Sequence, residues 1–82
     1  MLNVIAVRHL HDHVLWLRLN DGCEGEVNLR AELEGPVFEP LCDVKLFAQA
    51  RIHPELRTVV WPGGADFAPE FLHQQVRALQ AA

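Results

Sequence analysis

The chain contains no serine and no tyrosine, so a serine nucleophile with an imidazole base is excluded at the outset. Its two cysteines, Cys23 and Cys42, stand far apart and form no Cys-x-x-Cys pair. Neither a disulfide framework nor a zinc knuckle can be read from them, and a reducing cytoplasm is the expected compartment. The start of the chain, Met1 to His9, has no basic opening and no cleavage site, and apolar residues nowhere continue long enough to span a bilayer. Export by the usual signal and insertion into a membrane are therefore not expected. Glycine and proline do not gather into linker-like blocks, and there is no internal repeat or low-complexity stretch. The six arginines (Arg8, Arg18, Arg30, Arg51, Arg57, Arg77) are scattered, and the formal net charge is −4. That is not the footprint of a nucleic-acid-binding protein. Gly63-Gly64 lacks the spacing and the following Lys-Ser or Lys-Thr of a phosphate loop.

What is present reads as one domain over residues 1–82, of a size at which folding buries roughly 60% of the extended chain's surface. There is room for one sheet and two or three short helices. Half the residues are hydrophobic and 22% are charged, the balance of a globular protein and not of a disordered tail. Leu2 to His9 is rich in Val, Ile and Leu. Val14 to Leu19 places Leu15, Leu17 and Leu19 on one face, expected in the core, and Val14, Trp16 and Arg18 on the other. Asn20-Asp21-Gly22 is a tight-turn signal, since Asp-Gly accepts the positive φ of a hairpin turn. A third strand follows, with Cys23, Gly25, Val27 and Leu29 facing inward and Glu24, Glu26 and Asn28 facing water.

Pro36 and Pro40 forbid a continuous helix between Arg30 and Ala50. Two short pieces are expected, one pressing Val37, Phe38 and Leu41 on the sheet, the other capped by Asp43 and carrying Leu46 and Phe47 inward. Strands are expected over Ala50 to His53 and Arg57 to Trp61, joined by a turn at Pro54-Glu55. Pro69 suits a first helical position, and Leu72, Val76 and Leu79 form an apolar stripe. The fold class is α+β, a small two-layer domain with an antiparallel-rich sheet in the order βββ, short helices, ββ, α.

The Asp21-Gly22 hairpin, Val27-Asn28-Leu29, Gly35-Pro36-Val37-Phe38 with Leu41, Phe47, and the run Thr58 to Leu72 together resemble the bacterial family of domain of unknown function 2442. The most specific part is Trp61-Pro62, Gly64-Ala65-Asp66, Pro69-Glu70 and Leu72. Gly63 stands where that family commonly has asparagine, Asn28 where aspartate is usual, and Ala68 where a capping residue is expected before Pro69. The resemblance implies an α+β bacterial cytoplasmic protein with no established catalytic residues. It also implies a role proposed for some relatives, as antitoxin-like partners of small toxin-like proteins. Some relatives carry a helix-turn-helix after this domain. Here the chain stops at Ala82, so direct DNA reading is not expected.

The sharpest chemical feature is His9-Leu10-His11-Asp12-His13. Alternate residues on a strand would project His9, His11 and His13 to one side as ligands for zinc or another transition metal. The competing reading, a polar hairpin turn with solvated histidines, is preferred, and no cofactor is expected. Cys42 with His53 or His73 would make a thiolate pair only if the fold joined them, and Cys42 reads more simply as an inert thiol. Glu24 and Glu26 share an outward face and read as solvated. No catalytic constellation emerges, and the protein is not expected to be an enzyme. Trp16, Trp61 and Asp66 are the candidate partner-binding residues, because large aromatic side chains dominate interfaces. Trp61 also reads as a structural residue packed under the last helix. Two functions follow: a protein-interaction module that binds a protein partner or a second copy of itself, or a ligand- or metal-sensing domain using the histidine cluster.

Overall fold

The computed structural model describes residues 1–80, with side chains through Arg77. Three strands, β1 (Val4–His11), β2 (Val14–Leu19) and β3 (Glu24–Asn28), form an antiparallel sheet in the order β1-β2-β3. Single turns of 3-10 helix at Arg30–Glu32 and Glu39–Cys42 lead into the short helix α1 (Val44–Phe47). A second, two-stranded antiparallel ribbon pairs β4 (Arg51–Ile52) with β5 (Val59–Val60), and α2 (Pro69–Gln80) follows. The fold is α+β with the expected order of elements.

The hairpin between β2 and β3 forms where Asn20-Asp21-Gly22 predicts it. Gly22 sits at φ +93°, a conformation that side chains with a Cβ rarely adopt. The Leu19 amide donates to the Cys23 carbonyl at 2.8 Å to close the turn. On the inner face of the sheet Leu15, Leu17, Leu19, Val27 and Leu29 are buried. The outer face carries the cross-strand row Arg8, Trp16, Glu26.

The latter strands are shorter than the Ala50 to His53 and Arg57 to Trp61 segments expected, and they form a sheet of their own. Two turns end them early. His53 Nδ1 accepts the amides of Glu55 and Leu56 at 3.1 and 3.0 Å, which starts the reversal at His53. Arg57 leaves strand geometry at φ 56°. At the far end the Trp61 amide donates to the Ala65 carbonyl at 3.0 Å, so Trp61 already belongs to the next turn. The ribbon still reaches the larger sheet through the Val4 amide, which donates to the Arg57 carbonyl at 2.9 Å.

Trp61 is only 2% exposed and is the largest side chain in the core. Its indole N–H, which would be costly to bury unpaired, donates to the Phe47 carbonyl at 2.8 Å. Rings continue outward from it: Phe47 lies 5.5 Å away by centroid and Phe67 5.8 Å, and Phe67 in turn stacks on Phe38 and Phe71. Thr58, the one buried polar residue among the described side chains, donates its hydroxyl to the Phe67 carbonyl at 2.6 Å. From α2, Leu72 and Val76 are buried as the stripe requires, while Leu79 lies outside the described side chains.

Two side chains expected inward face water. Val37 is 55% exposed and Leu46 41%. Phe38 takes the inward place by stacking on Phe67, which turns its neighbour Val37 away. Asp43 caps α1 as expected, its Oδ1 accepting the Lys45 amide at 2.9 Å. With Phe47 committed to the core, Leu46 lies about 100° around the helix and points out.

Removing the indole donor should be felt. Trp61→Phe is expected to cost about 1–3 kcal/mol, for the lost hydrogen bond and the space left behind, while the Phe47 carbonyl keeps the Ala50 amide at 3.3 Å. Urea denaturation should show a lower midpoint at unchanged slope.

Candidate functional site

Leu10 forms a bulge in β1: His9 pairs with Leu15 across the sheet, and the next pair is His11 with Val14. One extra residue reverses the alternation, so His9 lies on the inner side and His11 on the outer. The expected projection of His9, His11 and His13 to one side therefore does not occur. Each imidazole is engaged locally instead. His9 Nε2–H donates to the Asp12 carbonyl at 2.8 Å, and His11 Nδ1 lies 3.1 Å from the Asp12 carboxylate. His13 Nε2–H is shared between the carbonyls of Leu41 and Cys42 at 3.1 and 3.0 Å. The His9 and His13 rings meet Phe47 edge-on, at 5.9 and 5.0 Å. Asp12, at φ 43°, takes the left-handed turn position that aspartate tolerates. The histidine run thus closes the hairpin over Phe47 and fastens it to the segment before α1.

The remaining sequence candidates are separated in space or bound up in structure. Cys42 Sγ lies 3.8 Å from the Leu33 carbonyl as a weak donor. His53 is spent on its own turn, and His73 sits beside Asp21 and not Cys42. Glu24 pairs with Arg18 at 2.7 Å, and Glu26 lies across from Trp16 on the same outer face. Trp16 is half-buried, with the guanidiniums of Arg8 and Arg18 lying 5.6 and 5.8 Å from its ring centre. Asp66 is exposed, and its backbone bridges Val60 across the turn.

Two places stand out from this background. The first is a surface cleft of about 370 Å³ between the Gly35–Leu41 segment, α1 and the Trp61–Ala65 turn. Its walls include Pro36, Val37, Pro40, Leu46 and Pro62, with Trp61 beneath, and Gln49 is its one polar side chain. No ionisable group lines it. The proline-spaced segments that break the helix pattern are thus the ones that build a rigid apolar rim.

The second is a meeting of Asp21, Cys23 and His73, which no spacing in the sequence announces. The hairpin turn supplies the first two, and α2 supplies the third from 52 residues away. His73 Nε2–H donates to Asp21 Oδ2 at 2.8 Å, while Asp21 Oδ1 accepts the Cys23 amide at 3.0 Å. The Cys23 amide bond, with His73 beside it, holds the Asp21 carboxyl below the usual range. Loss of solvent and the neighbouring Asp21 carboxylate push the Cys23 thiol up. A thiol so placed stays protonated at neutral pH and is a poor nucleophile.

Residues 4–78 match the sequence model of the family described as "Protein of unknown function (DUF2442)". The chain belongs to that family. No curated protein and no solved structure matches it. The family description carries no activity, so the chemistry rests on the geometry. Of the three departures noted from the family's pattern, Asn28 keeps a turn role, its Oδ1 accepting the Arg30 amide at 3.0 Å. Ala68 offers no side-chain cap, yet its carbonyl still accepts the Leu72 amide at 3.2 Å to open α2. Among the described residues no helix is long and apolar enough to cross a membrane.

The histidines should separate in a stability assay. His13→Ala is expected to cost about 1–2 kcal/mol, because it orphans two carbonyls and uncovers Phe47. His11→Ala, exposed on the outer side, should stay within about 0.5 kcal/mol of the parent. Urea midpoints of the two variants measured side by side check this.

Proposed function

We propose that this domain is a non-catalytic protein-interaction module of the bacterial cytoplasm, and that the apolar cleft beside the Trp61–Ala65 turn receives the partner. The carrying observation is the cleft's lining: exposed Val37 and Leu46 on a proline rim, with no ionisable side chain within it. An active site needs groups that move protons, attack or stabilise charge, and this cleft offers none. Large aliphatic groups held open to water on a rigid rim are instead the raw material of a binding surface. Trp61 contributes as the fixed floor of the cleft and not as a free anchor, since its ring is buried and its N–H is satisfied. Asp66 follows the turn and adds to the domain's acidity.

The net charge of −4 suits a basic partner, which long-range attraction would steer towards the domain. This fits the antitoxin-like role implied by the resemblance, with a small basic toxin-like protein as the partner. The sensing alternative at His9, His11 and His13 draws no such support, because those imidazoles are engaged with the backbone, with Asp12 and with Phe47.

The test is capture of the partner from native lysate, followed by titration of the purified pair. Val37→Asp and Leu46→Asp, both at exposed positions, should leave the fold intact and weaken binding at least about tenfold each, or about 1.4 kcal/mol. Trp16→Ala should leave affinity unchanged. Binding that is indifferent to both aspartate variants but lost with Trp16→Ala would move the interface to the outer sheet face and refute the cleft.

A further inference from the structure

The meeting of Asp21, Cys23 and His73 is the one place among the described residues where three side chains with metal-ligating atoms converge, those atoms all lying within 4.8 Å of one another. We propose that it is a binding site for a divalent transition-metal ion of the zinc type, held by Asp21 Oδ2, Cys23 Sγ and His73 Nε2, with water in a fourth position.

The donor set is the reason for naming zinc. A thiolate, an imidazole and a carboxylate are each ordinary zinc ligands, whereas calcium and magnesium take oxygen donors and avoid sulfur. With bonds of about 2.0–2.3 Å in tetrahedral geometry, neighbouring ligand atoms stand about 3.3–3.7 Å apart. The group is close to that spacing. Asp21 Oδ2 and His73 Nε2, now 2.8 Å apart across a shared proton, would open slightly as the cation takes the proton's place between them. No other pair is more than 4.8 Å apart, so reaching that spacing asks for movements of about 1 Å or less.

Part of an outer shell is already built. Asp21 Oδ1 accepts the Cys23 amide at 3.0 Å, which fixes the carboxylate plane and leaves Oδ2 for the metal. His73 is only 18% exposed and Asp21 41%, so the pocket is shielded on the helix side and open on the turn side. That opening gives the ion its entry path and leaves room for the water. On binding, the Cys23 sulfur gives up its proton to solvent, and the proton on His73 Nε2 is displaced through solvent, leaving a neutral imidazole whose one proton is on Nδ1. Arg77, one turn beyond His73 on α2, is a cation near enough for its charge to act on the Cys23 thiol. It opposes a second positive charge and so favours an exchangeable ion over a permanently held one.

The site is separate from the apolar cleft and shares no lining residue with it. Its tie across the fold, from the β2–β3 turn to α2, means that metal would brace the helix against the sheet. Loaded protein should therefore melt at a higher temperature than the metal-free form.

Cobalt(II) titration of the untagged, reduced protein tests the proposal, since a thiolate bound to cobalt gives a near-ultraviolet charge-transfer band and tetrahedral coordination gives intense visible bands. The expected result is one equivalent bound with both features, displaced by zinc. Cys42→Ser, which leaves Cys23 as the sole thiol, should keep the thiolate band. Cys23→Ser should abolish it, and His73→Gln should weaken binding at least tenfold, with circular dichroism confirming that each variant is folded. His11→Ala should bind as the parent does. No thiolate band in the parent protein, loss of the band in Cys42→Ser, or binding that disappears with His11→Ala would each overturn the assignment. The Cys42→Ser result stands even if Cys23→Ser fails to fold.

Discussion

The hydrogen bond from the Trp61 indole to the Phe47 carbonyl is the constraint on which most of this structure hangs. A tryptophan is too large to bury in so small a domain unless its one polar atom is satisfied, and the only short route is to a backbone carbonyl. That requirement sets the end of α1 against the Trp61 turn. Phe47 is then fixed over the sheet, where His9 and His13 close around its ring, and Phe67 is brought against Trp61 from the other side. The position of Leu46 follows too. A helix of one turn can bury one aromatic face, and the adjacent residue is left at the surface, where it becomes a wall of the cleft.

The same economy explains the histidine run. His13 joins the β1–β2 turn to the carbonyls just before α1, so a polar side chain does the work that a longer loop or an extra strand would do in a larger protein. The bulge at Leu10 makes this possible by setting His9 and His11 on opposite sides. A strict strand would have produced a row of imidazoles. The bulged one produces two edge-on contacts with a buried phenylalanine and one solvated side chain, an arrangement that serves the core.

Most of the scaffold was legible in the residues. The leucine alternation of Val14 to Leu19, the Asp21-Gly22 turn, the Asp43 cap and Pro69 at the start of α2 are local signals whose physics acts within a few residues, and each holds in the structure. The errors arose where position depends on distant contacts. Val37 faces water because Phe38 finds Phe67, and the last strands are cut short by a side-chain acceptor on His53 and a backbone bond to Ala65. Neither partner can be inferred from spacing. The bulge at Leu10 is equally silent, since His9 to His13 alternates as well as any strand. The group of Asp21, Cys23 and His73 was missed for the same reason. Its members are unremarkable one by one, and only the packing of α2 beside the hairpin turn brings the third within reach of the first two.

On the proposed reading, the size of the cleft constrains the partner. Val37 and Leu46 are already about half covered, so burying the rest of each releases only about 1–1.5 kcal/mol, while association costs about 4–15 kcal/mol in lost freedom of motion. The cleft alone therefore cannot hold a complex together. Stable interfaces cover about 800 Å² on each partner, so contact must spread from the rim across the neighbouring surface. Attraction to the acidic domain speeds the encounter but adds little to its lifetime once salt screens it. On that reading these magnitudes favour a folded protein that inserts an apolar side chain into the cleft and rests on the ground around it. A short peptide or a small metabolite would gain the cleft without the surroundings, and would bind more weakly for it.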